Sequence, residues 1–274
     1  MYRIWTYWHQ GVDKAPDIAH QCIRQLKALH PKAEIHLLDQ YNVYDYGDSV
    51  PVKQKVWRKM SLPHRSDLLR TQLLIKHGGV WLDPTVYCRF PLQDWLPEYM
   101  NNGLFLFHRP GKDRIIANWF IAAEKDNYLL KQIYQSLIDY WNQHSFRNSG
   151  SKNGSRLEYL LKRIINGRSL LLSQLWLTPL FTKVLRIYPY MIYHHMFYYL
   201  IRTDPKCRKI YEDMPKFSAD LPHLMQREGL LAPLTPKAQD AIDIRHTPVF
   251  KLNWKLRNAG IPTGSNLAYL FDHK

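Results

Sequence analysis

Residues 64–87, HRSDLLRTQLLIKHGGVWLDPTVY, contain the pattern that decides the fold of this chain. Ser66 and Asp67 are residue types that accept hydrogen bonds from the free N–H groups of a helix start, so we expect a helix to begin there. The leucines that follow recur at helical spacing, and the glycine pair after them suits the left-handed backbone of a helix end. Residues 80–82, Val-Trp-Leu, then predict a short buried strand that ends at Asp83.

The position of Asp83 points to a ligand site, because ligands bind at the carboxyl ends of strands in open α/β sheets. A charged residue followed by Pro84 is not expected to serve packing alone. Asp67 and Arg70 lie about one turn apart on the same side of the predicted helix. If the helix runs antiparallel to the strand, we expect Asp67 and Asp83 to be separated by about a helix length.

The residues before this stretch predict two more strands joined by a helix. Residues 2–7 (YRIWTY) read as the first strand, a helix follows Pro16, and residues 34–38 (EIHLL) read as a second strand that ends at Asp39. Alternation of strands and helices is the signature of an α/β fold with a mostly parallel sheet.

After Asp83 the chain becomes increasingly helical. We expect a strand at residues 104–107, helices at residues 128–141 and 157–165, and a polar loop at residues 144–155. Residues 116–123 are apolar and fit either a helix or a strand. No repeat and no domain linker is evident, so we expect one domain over residues 1–274.

Residues 169–201 are the most apolar region, and two interpretations stay open. They are either a buried or half-buried pair of helices or an aromatic-rich amphipathic surface at a bilayer interface. We expect His194 and His195 within this region to be structural. Residues 245–255 (RHTPVFKLNWK) bring basic residues back to a short strand-like unit.

Composition limits the classes of protein. With 46% hydrophobic residues the chain is not disordered, and its net charge of +15 favours an anionic partner: nucleic acid, an acidic membrane or a phosphorylated substrate. A basic stripe or nucleic-acid-binding motif is not evident, so we expect no nucleic acid. Three cysteines without CxxC spacing fit a reducing cytoplasm. No apolar run reaches the ~20 residues of a membrane span, so we expect a soluble or peripherally attached protein.

Several segments together resemble a known family. SDLLR followed by GGVWLD, the opening IWTYWHQG with APDI and LLDQYN, and the late HTPVFKL resemble the nucleotide-sugar glycosyltransferases of the capsular polysaccharide synthesis group. That group is related to glycosyltransferase family 32, which holds yeast mannosyltransferases, and more distantly to the clostridial glucosylating toxins. The resemblance covers residues 2–87 strongly and residues 245–255 weakly.

The resemblance implies a GT-A fold, with a nucleotide-sugar-binding half at residues 1–125 and a helical acceptor-side half at residues 126–274 that includes a C-terminal return segment. It implies transfer of a hexose, with retention of configuration, from a nucleotide-diphosphate sugar to a capsular, lipopolysaccharide or related cell-surface glycan, whether free or lipid-linked. It also implies a cytoplasmic protein that contacts the anionic inner face of the plasma membrane.

The resemblance assigns catalytic and donor-binding roles to three residues of the opening stretch. Asp67 and Arg70 would hold the donor sugar hydroxyls and the phosphate region. Asp83 would be the first carboxylate of a DxD element that meets the ribose and a metal ion. For Asp67 and Asp83 to line one pocket, the helix would have to cross the sheet steeply.

The remaining donor-binding residues come from the two ends of the chain. Trp8 would lie against the uracil or guanine base, although Trp5 is an alternative for this role. Lys251 would approach the diphosphate directly, and His246 would approach it through the metal.

The metal prediction meets a departure from the family pattern, because Thr85 stands where the second carboxylate of DxD belongs. Asp83, His246 and the diphosphate would then hold Mn²⁺ or Mg²⁺, which accepts few protein carboxylates when phosphate oxygens and water complete its shell. The same departure leaves open a catalytically silent relative that binds a nucleotide or a glycan.

Overall fold

The computed structural model describes residues 3–146, 156–244, 247–256 and 260–273. Its strands are β1 (Arg3–Tyr7), β2 (Glu34–Leu38), β3 (Gly79–Leu82), β4 (Val86–Cys88), β5 (Leu104–Gly111), β6 (Arg114–Ala123) and β7 (Val249–Lys251). Its α-helices are α1 (Asp17–Leu29), α2 (Gln54–Trp57), α3 (Leu62–His77), α4 (Tyr128–Gln143), α5 (Arg156–Ile165), α6 (Leu170–Ser173), α7 (Ile192–Thr203), α8 (Pro205–Asp213), α9 (Leu224–Glu228), α10 (Pro236–Asp243) and α11 (Asn266–Asp272).

The main sheet is mixed, which corrects the prediction of a mostly parallel sheet. Its order is β2-β1-β3-β6-β5; β1 is parallel to β2 and β3, whereas β6 is antiparallel to both β3 and β5. The reason is local: β5 and β6 are joined by a tight turn, with Gly111 paired to Arg114, and a hairpin necessarily produces antiparallel strands. The α/β class itself is confirmed.

Most of the elements predicted from local patterns are present. The strands expected at residues 34–38, 80–82 and 104–107 and the helices expected at residues 128–141 and 157–165 are confirmed. Strand β5 continues four residues further than expected, and the other ends shift by at most two residues. Most of the polar loop expected at residues 144–155 lies outside the described residues. Residues 116–123, which fitted either a helix or a strand, are part of strand β6. The short strand β4, which no pattern indicated, pairs with β7 in a separate antiparallel ribbon.

Helix α3 begins five residues earlier than the predicted cap. Ser61 is its N-cap, with Pro63 in the first turn, where proline's fixed backbone angle suits a helix start. Ser66 and Asp67 therefore lie inside the helix, and their predicted capping role is wrong. As a consequence, the carboxylate of Asp67 is free to bind side chains.

The expectation that Asp67 and Asp83 lie about a helix length apart is also wrong. The chain runs one way along α3 and returns by about the same distance along β3. From Arg70 to Gly78 the helix rises about 12 Å, at about 1.5 Å per residue. From Gly79 to Asp83 the strand returns about 13 Å, at about 3.3 Å per residue. Asp83 therefore comes back level with Arg70, and the two side chains lie 3.5 Å apart (Nη1 to Oδ1).

Two hydrophobic clusters cover the main sheet, one on each face. Trp5 and Trp81 face a cluster built with helices α3, α4 and α7, whereas Ile4 and Val80 face the opposite cluster, as the alternation of side chains along strands requires. The first cluster draws residues from both predicted halves of the chain.

The apolar region at residues 169–201 combines features of both interpretations. Tyr193 and Phe197 of α7 are fully buried in the cluster that Trp5 and Trp81 face, and Trp176 is fully buried in a separate small cluster. Leu171 and Val184, by contrast, are each 65% exposed. None of the helices in the described ranges is both long and apolar enough to cross a membrane.

We predict that Gly79→Ala destabilises the protein by at least about 2 kcal/mol, because Gly79 has a φ of 98° and an added Cβ would overlap the carbonyl oxygen of Arg3. Gly260→Ala is the matched control, since no atom lies within 4 Å of its Cβ position. Urea unfolding of both variants checks this. Equal free energies of unfolding for the two variants would contradict the tight α3–β3 turn.

Candidate functional site

The candidate site lies where three parallel-paired strands end. Trp8 follows β1, Asp39 follows β2 and Asp83 follows β3, so all three lie at the same edge of the sheet. Asp39 has a structural role there, since its Oδ1 accepts the backbone N–H groups of Tyr41 and Asn42 at 2.7 and 3.0 Å.

Asp83 is fixed by its backbone and presents its side chain to the edge. Its N–H donates to the carbonyl of Trp119 on β6 at 2.8 Å, and its own carbonyl accepts from Val86 at 2.9 Å. The indole N–H of Trp81 donates to Oδ1 at 3.1 Å. The carboxylate remains 25% exposed, so it is accessible to a ligand.

Arg70 lies between the two aspartates. Its guanidinium is 3.6 Å from Asp67 and 3.5 Å from Asp83, and it lies 4.9 Å from the ring centroid of Trp81. The residue is only 5% exposed. It also donates to the carbonyl and hydroxyl of Ser66 and to the carbonyl of Asn118, so its orientation is fixed without a ligand.

The two aspartates have opposite tendencies to hold a proton. Burial raises the pKa of Asp67 to about 7, and the negative charge of Asp83 adds to this while Arg70 opposes it. Burial also acts to raise the pKa of Asp83, but Lys251, Arg70 and the indole N–H of Trp81 outweigh it and hold that pKa below its usual value. One carboxylate thus titrates near neutrality beside one that stays ionised.

Lys251 reaches the same place from the far end of the chain. Strand β7 pairs with β4 so that Lys251 lies opposite Val86, and the N–H of Leu252 donates to the carbonyl of Thr85 at 2.8 Å. The ammonium group lies 3.3 Å from Oδ2 of Asp83 and donates to Oγ1 of Thr85 at 2.6 Å.

The structure therefore brings four of the predicted residues into one group. We call Asp67, Arg70, Asp83 and Lys251, together with Thr85, the Asp83 cluster. His246 lies outside the described residues, so the predicted metal pair of Asp83 and His246 stays a prediction. The described part of the chain contains no group of three His, Cys, Asp or Glu side chains arranged to hold a metal ion.

The two tryptophans proposed for the base differ in accessibility. Trp5 is fully buried and donates its indole N–H to the carbonyl of Gly78 at 2.9 Å, so the alternative that assigned it to the base is wrong. Trp8 is half-buried, and its ring lies edge-on to that of Trp254, with 6.1 Å between centroids. Base stacking on Trp8 stays a prediction.

Two residues beside the Asp83 cluster were missed. Asn118 donates to Oδ1 of Asp67 at 2.8 Å; a lone amide within the apolar run of β6 was the available signal. Burial, followed by the charges of Asp67 and Asp83, raises the pKa of Tyr190, although the residue is 60% exposed. No local sequence pattern marked Tyr190.

We predict that Asp67 makes stability pH-dependent. Its pKa is higher in the folded chain (about 7) than the ordinary value of 3.8, so its contribution to stability is complete below about pH 4 and is lost as the pH rises to about 7. The free energy of unfolding of the wild type, relative to Asp67→Asn, should fall by roughly 2–4 kcal/mol over this range.

Urea unfolding between pH 4.5 and 8 measures this difference. Asp48→Asn is the control, because Asp48 is 72% exposed in its ion pair with Lys76. Parallel curves for the wild type and Asp67→Asn would contradict the raised pKa of Asp67.

Comparison with known proteins identifies relatives over the first half of the chain. The model of the capsular polysaccharide synthesis protein family matches residues 1–149, more than half of the 274 residues. The O-glycosyltransferase braB of Annulohypoxylon truncatum is 28% identical over 158 residues, which cover 51% of this chain and 37% of the relative. The glycosyltransferase afumC of Aspergillus fumigatus is 25% identical over 158 residues, covering 51% of this chain and 40% of that protein.

The chain thus matches about two fifths of the length of these curated relatives. Among solved structures, the PaToxG glycosyltransferase aligns with a TM-score of 0.37 and 14% identity, covering 66% of this chain and 75% of that one. The match of the family model includes β1, β3 and the stretch from Asp67 to Asp83, which build the edge of the sheet described above. The chain belongs to the capsular polysaccharide synthesis protein family.

Proposed function

We propose that this protein is a glycosyltransferase of the GT-A type. It moves a hexose from a nucleotide-diphosphate sugar to a capsular, lipopolysaccharide or related cell-surface glycan, with retention of configuration. The observation that carries the proposal is the Asp83 cluster, in which the basic side chains of Arg70 and Lys251 lie around an accessible carboxylate at the carboxyl end of the sheet. The names of the two matched fungal relatives, both glycosyltransferases, support it.

The charges of the cluster suit the leaving group of this reaction. Breaking the bond between a sugar and a diphosphate leaves additional negative charge on the phosphate oxygens, and fixed cations aimed at those oxygens stabilise the transition state. Arg70 is held by its own hydrogen bonds and Lys251 by Asp83 and Thr85, so neither needs to reorganise as the charge develops.

The carboxylates suit the sugar. Ionised Asp83 accepts hydrogen bonds from hydroxyl groups of the donor. Asp67, with its pKa of about 7, can donate or accept a hydrogen bond at neutral pH. Stacking of the base on Trp8 would add ~1–3 kcal/mol of binding free energy, by analogy with base stacking in other proteins.

The proposed transfer needs no nucleophile from the protein. The bond from C1 of the sugar to the diphosphate oxygen breaks, and its electron pair stays on that oxygen. The hydroxyl oxygen of the acceptor forms the new bond to C1 from the same face, and its proton passes to the departing phosphate. This front-face route retains the configuration and requires no separate base.

The acceptor side of the proposal includes a surface for anionic lipid. A cavity of about 650 Å³ is lined by the cations Arg109, Lys112, Arg114 and Arg168 together with apolar residues that include Leu171. Apolar side chains are exposed along the same part of the chain: Tyr159, Leu160, Ile164, Leu172, Leu175, Leu180 and Val184. Cations beside exposed apolar groups fit the anionic headgroups and the acyl boundary of a membrane.

Placement in the cytoplasm, at the inner face of the plasma membrane, is part of this proposal. Three free, buried cysteines (Cys22, Cys88 and Cys207) fit a reducing compartment. The alternative, a silent relative that binds nucleotide without transfer, is decided by the first experiment below.

We predict that Asp83→Asn lowers transfer at least about 100-fold, since the variant loses the negative charge that holds Lys251 in place and accepts hydrogen bonds from the donor sugar. Purified protein is tested against a panel of nucleotide sugars with glycan and lipid-linked acceptors, and sugar transfer and nucleotide release are measured. Asp48→Asn removes an exposed carboxylate outside the cluster and should keep full activity.

Two outcomes contradict this account. Full activity of Asp83→Asn would refute the assignment of the site. Nucleotide binding by the folded wild type without turnover on any donor would select the silent relative instead.

We predict that the protein binds vesicles that contain anionic phospholipid and binds neutral vesicles at least about tenfold more weakly, because each cation near an anionic surface contributes about 1 kcal/mol. Lys112→Glu combined with Arg168→Glu should remove most of the difference. Lys32→Glu combined with Lys237→Glu changes the net charge equally at exposed positions that do not line the cavity. Vesicle cosedimentation measures all three proteins; an equal loss of binding in both double variants would contradict the proposed surface.

A further inference from the structure

Lys251 contacts both side chains that stand at the positions of the Asp-x-Asp element. In an Asp-x-Asp element, the side chains of residues i and i+2 face one cation. Here those positions are Asp83 and Thr85, and the Nζ atom of Lys251 contacts both of them, at 3.3 Å from Oδ2 and 2.6 Å from Oγ1. An ammonium group of the chain thus lies where the two side chains converge.

The described donor atoms do not fit a divalent ion at this place. Mg²⁺ and related hard cations bind carboxylate and other oxygen ligands at about 2.0–2.1 Å in a regular geometry. Both carboxylate oxygens of Asp83 already face cations, with Arg70 3.5 Å from Oδ1 and Lys251 3.3 Å from Oδ2. Thr85 supplies a neutral hydroxyl whose oxygen already accepts from Lys251, so the second negative charge of the element is absent.

The position of Lys251 is built by the backbone. Pairing of β4 with β7 sets Lys251 opposite Val86, the residue next to Thr85. The backbone carbonyl of Lys251 accepts from Gln226 at 2.8 Å, which fixes the strand on its other side. The side chain is 15% exposed, so its ammonium is largely desolvated but accessible from the carboxyl edge of the sheet. A desolvated cation interacts more strongly with an anion than one in water.

We propose that the ammonium of Lys251 takes the place of the divalent ion, so that this chain binds the diphosphate of its donor and transfers the sugar without a metal. The inference deepens the proposed function and rests on it. Lys251 and Arg70 together supply two positive charges, the same formal charge as one divalent ion, and Thr85 replaces a carboxylate because an ammonium needs only an acceptor there.

The charge balance of the cluster supports this substitution. With Asp83 ionised, one of the two cationic charges is neutralised and one remains to meet the phosphates. A divalent ion added to the same carboxylate would lie beside both Arg70 and Lys251 and would be repelled by each. Replacement of Thr85 by aspartate would restore the second carboxylate, and removal of the Lys251 side chain would vacate the position of the metal ion. A variant with both changes should therefore bind a divalent ion.

The experiment measures three properties of the wild type, Lys251→Ala, the double variant Thr85→Asp with Lys251→Ala, and Lys255→Ala. These are Mn²⁺ binding by electron paramagnetic resonance, binding of UDP and GDP by calorimetry, and transfer. The two nucleotide measurements are made in EDTA and in Mn²⁺. Lys255 is the matched control because it is exposed and lies four residues beyond Lys251. Thermal melting shows whether each variant is folded.

We expect the wild type and Lys255→Ala to bind nucleoside diphosphate and to transfer sugar equally well in EDTA and in Mn²⁺, with no saturable Mn²⁺ binding. Lys251→Ala should bind the diphosphate about ten- to hundredfold more weakly, the range for one hydrogen bond to a charged group. The double variant should bind Mn²⁺, and its binding of diphosphate should then require the metal.

Saturable Mn²⁺ binding by the wild type, or diphosphate binding and transfer that EDTA abolishes and Mn²⁺ restores, would overturn this inference and leave the proposed glycosyltransferase intact. Absence of diphosphate binding by the folded wild type under both conditions would instead refute the proposed function. If Lys251→Ala and the double variant do not fold, the wild-type measurements in EDTA and in Mn²⁺ still decide the question.

Discussion

The structure depends on one ionic contact, in which Asp83 is held between Arg70 and Lys251. Arg70 lies in helix α3 and Lys251 in strand β7, so the contact joins the N-terminal part of the chain to a strand near its C-terminal end. This contact forms for two reasons. The stretches of α3 and β3 between Arg70 and Asp83 have nearly equal lengths and opposite directions, which brings Asp83 level with Arg70. Pairing of β4 with β7 places Lys251 at the same edge of the sheet. Without either condition, a carboxylate at that edge would be a single exposed charge.

The chemistry of the site follows from the different pKa values of Asp67 and Asp83. Asp67 is 7% exposed inside α3, where desolvation raises its pKa, whereas Asp83 lies between two cations that lower its pKa. The pair therefore presents one group that exchanges a proton near neutrality and one fixed anion, with a guanidinium between them. Such an arrangement can hold hydroxyl groups and phosphates of one ligand at the same time, which is the demand that a nucleotide sugar makes.

Local sequence patterns indicated the elements of the site, whereas its grouping of Asp67, Arg70, Asp83 and Lys251 came only from the family resemblance. The leucine spacing of α3, the glycine turn and the Val-Trp-Leu strand are local patterns, and they located Asp83 correctly at a strand end. The start of α3 was misplaced because Ser66 and Asp67 resemble caps, while Pro63, three residues before Ser66, was the stronger signal. The antiparallel pairing of β6 with β3 and the pairing of β4 with β7 depend on contacts between distant segments, which local sequence patterns do not encode. The contact of Lys251 with Thr85 follows from that pairing and for the same reason could not be read from spacing.

The central claim is that an activated sugar nucleotide binds against the Asp83 cluster. The most direct measurement is hydrogen–deuterium exchange with and without a nucleotide sugar that the protein binds, read in peptides that cover β3, β4 and β7. The account predicts slower exchange in β3–β4 and in β7 together, because one ligand would contact both segments through Asp83 and Lys251. Slower exchange confined to other parts of the chain, with these three strands unchanged, would contradict it.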